Sequence, residues 1–250
     1  MISLRKIYLS VAIFLLPVSY SMAQQGQEAA KAILEKMQAA YARSSYLSFD
    51  VMYLYANESQ AGHPMDSLPG EFQMDKKRVR FTIDGTETLV TPLHSIRVQP
   101  EERLIFLGRS AEGTQVDPAS MVDSLLSRIN GSDVQITDAE GRQVIGIQLP
   151  PGLQYKRVEI VVDKQTNFLE GITYFLKTEG LVGQELIKDG SHDGPYETDG
   201  RVRIVFSHYR QQAFGDAVFD ESHFINRVDG VYQPAASYKG YQLILASPNL

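Results

Sequence analysis

The chain contains neither cysteine nor tryptophan. Without cysteine there is no disulfide framework and no acceptor for amino-terminal lipidation, so the fold must be held by its apolar core alone. Long apolar runs are equally scarce. The longest, Ile7 to Pro17, is interrupted only by Ser10 and falls short of the roughly 20 residues a membrane-spanning helix needs. The net charge of −6 leaves no basic stripe of the kind that neutralises phosphates, which argues against a nucleic-acid partner. The densest basic run, Lys76-Lys77-Arg78 with Arg80, is expected to face water from alternate positions of a strand. Catalytic signatures are missing too. His63, His94, His192, His208 and His223 are scattered, with no H-E-x-x-H, G-x-S-x-G or P-loop motif. A triad brought together from distant positions is left to geometry, and His208 reads as a half-buried strand side chain. The sequence therefore assigns no catalytic residue, no cofactor and no metal ligand.

What is present begins with an export signal. Arg5 and Lys6 precede the apolar run, and Ser21-Met22-Ala23 offers a small-residue cleavage site before Gln24. The expectation is a signal peptide over 1–23, a single domain over 24–250, and a soluble protein delivered to the periplasm. With 43% hydrophobic residues, 11 Phe and 13 Tyr, the remainder can bury a core without metals or staples.

Ala30, Ile33, Leu34, Met37 and Tyr41 recur at helical spacing between charged residues, so the first element is an amphipathic helix that needs an apolar partner. The period then changes to two. Leu47, Phe49, Val51, Tyr53 and Tyr55 form one face of a long strand. Short strands and turns follow from Gly70 to Gly108, with a hairpin signal at Asp84-Gly85. Asp117 caps a second helix, Pro118 suits its first turn, and Met121, Val122, Leu125, Leu126 and Ile129 give it a narrow apolar stripe ending at Gly131. Strands resume at Val134–Thr137 and Gln143–Leu149. The strongest hairpin runs from Val158–Asp163 to Phe168–Lys177, the segment Thr178 to Gly200 reads as a long loop, and Arg201–Arg210 and Tyr238–Ala246 close the strand count. Two helices, each apolar on one side, need a sheet to cover. The fold class is α+β: a curved antiparallel sheet forming a half-open β-barrel with helices covering its concave face.

The hairpin Arg157–Asp163 to Asn167–Ile172, the strand Val202–Tyr209 and the ending Asp216-Ala217-Val218-Phe219-Asp220-Glu221-Ser222-His223-Phe224 resemble the periplasmic lipoprotein carriers, the LolA-like proteins, and their wider superfamily of lipid-sheltering half-open barrels. The resemblance implies a non-enzymatic carrier or chaperone that binds lipid or the acyl chains of lipoproteins. It also implies an arginine tying the helical lid shut, a role for which Arg78, Arg80 and Arg97 are candidates by position. Phe49, Val51, Tyr53, Met121, Val122, Leu125, Leu126 and Ile129 are the candidate cavity lining, although a packed core has the same composition. The alternative is an envelope protein-interaction module with a filled core, reached through a sheet edge or the Thr178–Gly200 loop. That loop gathers Asp189, Asp193, Glu197 and Asp199, yet lacks the spaced pattern of a calcium loop. It reads as solvated and mobile. Tyr209, Phe214 and Phe219 read as packing residues.

Overall fold

The computed structural model describes residues 17–110, 117–126, 133–188 and 194–247. Helix α1 spans Pro17–Arg43 and α2 spans Pro118–Leu126. Between them run β1 (Tyr46–Asn57), β2 (Asp66–Asp75), β3 (Val79–Ile83), β4 (Thr86–Val90), β5 (His94–Gln99) and β6 (Leu104–Arg109). After α2 come β7 (Asp133–Ala139), β8 (Arg142–Gln148), β9 (Tyr155–Asp163), β10 (Leu169–Lys177), the short β11 (Ile187–Lys188) and β12 (Tyr196–Glu197), and the long β13 (Asp199–Arg210). The chain closes with β14 (Ile225–Val228), β15 (Val231–Pro234) and β16 (Gln242–Leu245). Twelve strands form one curved, open sheet in the order β16-β6-β5-β4-β3-β2-β1-β13-β10-β9-β8-β7. This is the half-open, helix-covered sheet expected from the sequence.

Local chemistry explains the turns. Asp84-Gly85 and Glu140-Gly141 both take positive φ, at 46° and 75° and at 44° and 83°, which is the two-residue geometry that matches strand twist. Alternation then sorts side chains between the two faces. On the concave face Phe49 lies opposite Phe72, Phe72 opposite Phe81, Phe81 opposite Thr88, Thr88 opposite Arg97, Arg97 opposite Phe106, and Phe106 beside Ile244. This single row crosses seven strands.

The helices cover only part of that face. Ala30, Ile33, Leu34, Met37, Ala40 and Tyr41 of α1 and Ala119 and Val122 of α2 join the inward residues of β1, β13 and β7–β10 in one buried cluster. At Gly26 a Cβ would fall 2.1 Å from the Val134 carbonyl oxygen, so only glycine lets α1 lie this close to the edge strand β7. The other end of the helix is pinned by a closed ring of hydrogen bonds. The Leu169 N–H donates to the Tyr41 hydroxyl at 3.4 Å, Tyr41 donates to the Tyr209 hydroxyl at 2.8 Å, and Tyr209 donates to the Leu169 carbonyl at 2.7 Å. Both phenols are held far above their ordinary pKa, chiefly by burial, so they serve as neutral donors and acceptors.

A second core sits on the opposite face. Leu89, Ile96, Val98, Ile105 and Leu107 of β4–β6 are covered by the carboxy-terminal segment through Phe219, Phe224 and Ile225, with Phe214, Val218, Tyr232, Tyr238, Tyr241 and Leu243 packed around them. Tyr209 and Phe219 are packing residues as expected, and Phe214 lies against Tyr46 and Phe219 with ring centroids 6.0 and 5.8 Å away.

Several expectations are corrected. Arg78 and Arg80 do not face open water. They point to the tail face, where Arg78 pairs with Asp75 at 2.6 Å and lies 4.7 Å over Phe219, while Arg80 pairs with Glu87 at 2.5 Å and lies 5.8 Å over Phe224. The tail's apolar residues follow neither helical nor strand period, so nothing in the pattern announced a cover there. The last strand is shorter than Tyr238–Ala246 and runs parallel to β6, in contrast to its antiparallel neighbours. His208 is exposed, with φ of 53°, beside the β1–β13 bulge, its Nδ1 2.7 Å from Asp50. The segment Thr178–Gly200 is more structured than a bare loop. It carries two 3-10 turns and a parallel β11–β12 pair, buries Thr178 and Ile187, and gives Asp199 and Gly200 to β13. Residues 189–193, including Asp189 and Asp193, lie outside the described residues, as does the signal's apolar run. The described helix α1 starts at Pro17 and passes through the expected cleavage site at Ala23.

Candidate functional site

Beyond the buried cluster under α1 and α2, the concave face continues across β2–β6, where most of its side chains are only half-buried and Val79 and Thr88 are buried. Its floor is laid by alternation: Phe72 and Met74 from β2, Val79, Phe81 and Ile83 from β3, Thr86, Thr88 and Val90 from β4, Ser95 and Arg97 from β5, and Phe106 and Gly108 from β6. Two hollows lie along it. One, of about 490 Å³, sits where α1 and α2 meet the β2–β3 turn, with Tyr41, Met74, Val79, Val90 and Ala119 among its walls. The other, of about 550 Å³, opens over Phe81, Ile83, Thr88, Arg97 and Phe106. They are lined by neighbouring positions of β3 and β4, Val79 and Val90 in one and Phe81 and Thr88 in the other, and each has the size of a small-molecule site.

An aromatic ladder leads from the core into this groove. Phe49, fully buried, stacks on Phe72 at 5.1 Å and 9°, and Phe72 stacks on Phe81 at 4.8 Å and 8°. Phe81 therefore shows one ring face to Phe72 and the other to the groove. At the far side Arg97 lies 4.8 Å over Phe106. Of the three arginines considered for tying a lid, Arg97 alone stands on the concave face, because Arg78 and Arg80 alternate to the tail side. A cation beside an apolar floor suits an amphiphile's polar end.

The cavity lining expected from the sequence divides. Phe49, Val51 and Val122 lie inside the buried core, and Tyr53 and Leu125 pack half-buried at its edge. Met121 points outward with 41% exposure. Leu126 closes α2, and Ile129 lies outside the described residues. Sequence reasoning missed Phe72, Phe81, Ile83 and Phe106. Their alternation was visible, but only strand pairing shows that they extend the Phe49 face beyond the helices.

His94 is tied to the tail. His94 Nδ1 lies 2.8 Å from Glu221 and its Nε2 3.2 Å from the Tyr232 hydroxyl, while Thr91 donates to Glu221 at 2.5 Å. This network fastens the carboxy-terminal segment to β5. Among the described residues no group of three or more acidic or histidine side chains is placed to hold a metal, and no described helix is long and apolar enough to cross a membrane.

The fold is thus a half-open sheet with helices over one end of its hollow. No family model matches the sequence, and no curated protein matches it. Among solved structures, the chain is similar to an uncharacterised conserved protein from Thermus thermophilus at 9% identity and a TM-score of 0.46, covering 87% of this chain and 99% of that one. It is also similar to a LolA superfamily protein from Nitrosomonas europaea, at 11% identity and a TM-score of 0.35 over 78% and 99% of the two chains. A third match is a putative outer membrane lipoprotein-sorting protein domain from Vibrio parahaemolyticus, at 11% identity and a TM-score of 0.33 over 80% and 97%. The LolA-like resemblance read from the sequence recurs in these matches. All three are distant, with TM-scores below 0.5.

Proposed function

We propose that this protein is an exported, non-enzymatic carrier that binds lipid or the acyl chains of lipoproteins in the groove across β2–β6. One observation carries the reading: the apolar floor of the concave face runs on past the helices as half-buried Phe72, Met74, Phe81, Ile83 and Phe106. A closed core would hide these side chains, whereas a ligand site leaves them for its occupant. Binding is driven by removal of acyl surface from water, about 0.8 kcal/mol per methylene. Arg97 at the groove margin offers the one cationic contact on the row. The helices act as a lid whose inner surface is the packed core, so ligand lies beside them rather than beneath Val122.

Titration with a fluorescent fatty-acid probe tests this. Wild-type protein is expected to bind it saturably, and Phe81→Asp, which places a charge on the groove floor, is expected to abolish binding while keeping the circular dichroism spectrum. If the wild type leaves the probe free, the carrier reading fails and an envelope interaction module takes its place.

A further inference from the structure

Resting on the lipid-binding reading, we infer that Tyr53, Tyr155 and Tyr174 form a headgroup site for the neutral, carbonyl-bearing end of an ester lipid. Tyr53 on β1 pairs with Ile204, and Tyr174 on β10 pairs with Val202 of the intervening β13, so both stand on the concave face one strand apart from β13. Tyr155 follows the bulge opposite Leu176 and brings its ring to 5.4 Å of Tyr174. Tyr53 and Tyr174 are half-buried against the core, and Tyr155 is 39% exposed.

The hydroxyls set this cluster apart. Tyr41, Tyr209 and Tyr55 all bond to protein groups, Tyr55 reaching the Thr178 hydroxyl at 3.1 Å. Among the described residues the hydroxyls of Tyr53, Tyr155 and Tyr174 bond to none. Their rings are packed while their hydroxyls reach solvent, so the three present donors and acceptors to whatever lies over this wall. Burial holds the pKa of Tyr53 and Tyr174 above the ordinary phenol value, so they stay neutral.

The surroundings set the charge of the ligand. Leu68 opposite Tyr53, Val202 between Tyr55 and Tyr174, and Val158 beyond Tyr174 are apolar neighbours on this face, Tyr55 spends its hydroxyl on Thr178, and Tyr155 also borders a hollow with Gln148, Gln154, Lys156, Lys177 and Glu179. The flanking lysines Lys156 and Lys177 are both committed to Asp199, at 2.7 and 2.8 Å. A carboxylate or phosphate brought here would lose water without gaining a cation, whereas an ester carbonyl and a glycerol hydroxyl match phenol chemistry. The site shares its face of the sheet with the groove. Tyr53 and Leu68 stand one row from Val51, Gly70 and Ile83, and β10 lies four strands from β3, about 19 Å at ordinary strand spacing. An acyl chain over Phe81 therefore has its head within reach of the tyrosines.

Competition against the neutral fluorophore N-phenyl-1-naphthylamine tests the inference, with 1-monooleoylglycerol and oleate as ligands of equal chain length at neutral pH. The wild type is expected to prefer the monoglyceride. Tyr174→Phe and Tyr53→Phe, which keep the rings, are each expected to weaken the monoglyceride roughly 2- to 10-fold by removing one hydrogen bond, leaving oleate and the fluorophore unchanged. Tyr155→Phe, at the more exposed position, repeats the test with less demand on folding. Equal affinity for both ligands, a preference for oleate, or indifference of all three variants would overturn the headgroup site while the carrier reading stood. Failure of every ligand to bind would remove both.

Discussion

Phe49 and Phe81 are the same residue type on the same row of the sheet, and replacing each by alanine separates core from groove. Phe49 is fully buried between Phe72, Phe206 and Tyr209, with ring centroids 5.1, 6.0 and 5.1 Å away. Phe49→Ala leaves a cavity that its strand neighbours cannot fill, at about 3 to 5 kcal/mol. Phe81 contacts Phe72 on one side and the groove on the other. Truncating it removes one stacking partner and part of the buried area, about 1 to 2 kcal/mol at the level of an aromatic pair plus partial burial. For a domain of this size each kcal/mol moves the melting temperature by about 2 to 4 °C. Urea titration and thermal melting are expected to show Phe49→Ala strongly destabilised and Phe81→Ala nearly intact, while binding of the fatty-acid probe falls in Phe81→Ala. Equal, large stability losses at both positions would mean that the groove is closed core, and the reasoning would be wrong.

Other outcomes follow from the same structure. Gly26→Ala ordinarily strengthens a helix by about 1 kcal/mol, but here the contact with Val134 is expected to reverse the sign, and a raised melting temperature would refute the close approach. Tyr209→Phe breaks the hydroxyl ring and leaves the Tyr41 hydroxyl and a Leu169 carbonyl lone pair short of a partner, an expected loss of about 1 to 3 kcal/mol in urea titration. Acid sensitivity is expected from Asp75 and Asp163. Burial pushes Asp75 up, but hydrogen bonds from Arg78 and the Lys77 and Arg78 amides outweigh it, and the Thr166 and Gln165 contacts hold Asp163 down. Their folded pKa values lie below the ordinary 3.8, so the stability they contribute is present above that value and lost as pH falls through the folded values. Asp75→Asn is expected to flatten the acid limb of a stability profile, and an unchanged limb would count against the pairing. Fractionation is expected to find the protein in the soluble periplasmic fraction, and retention in membranes after a high-salt wash would contradict export as a free carrier.

The helix α1 face and the β1 alternation were legible because one-sided burial writes a period into the sequence. Ile33, Leu34, Met37 and Tyr41 are buried as their spacing required. The groove was not legible in the same way, since Phe81 and Phe106 are separated by two strands and meet only through pairing with Thr88 and Arg97. The stripe of α2 showed its apolar content but not its orientation: Val122 enters the core while Met121 faces outward. Phe214 and Phe219 were legible as packing residues, but the surface that the tail covers was not. Phe219 and Phe224 sit in 3-10 turns and connections whose apolar residues follow contacts with β4–β6 rather than any local repeat.

Native mass spectrometry of protein purified without detergent shows directly whether the groove on the concave face holds lipid. Adducts with the mass of one acyl lipid are expected on the wild type and are expected to be absent from Phe81→Asp. Wild-type protein that carries no adduct, and acquires none after exposure to the organism's extracted lipids, would contradict lipid binding in the groove.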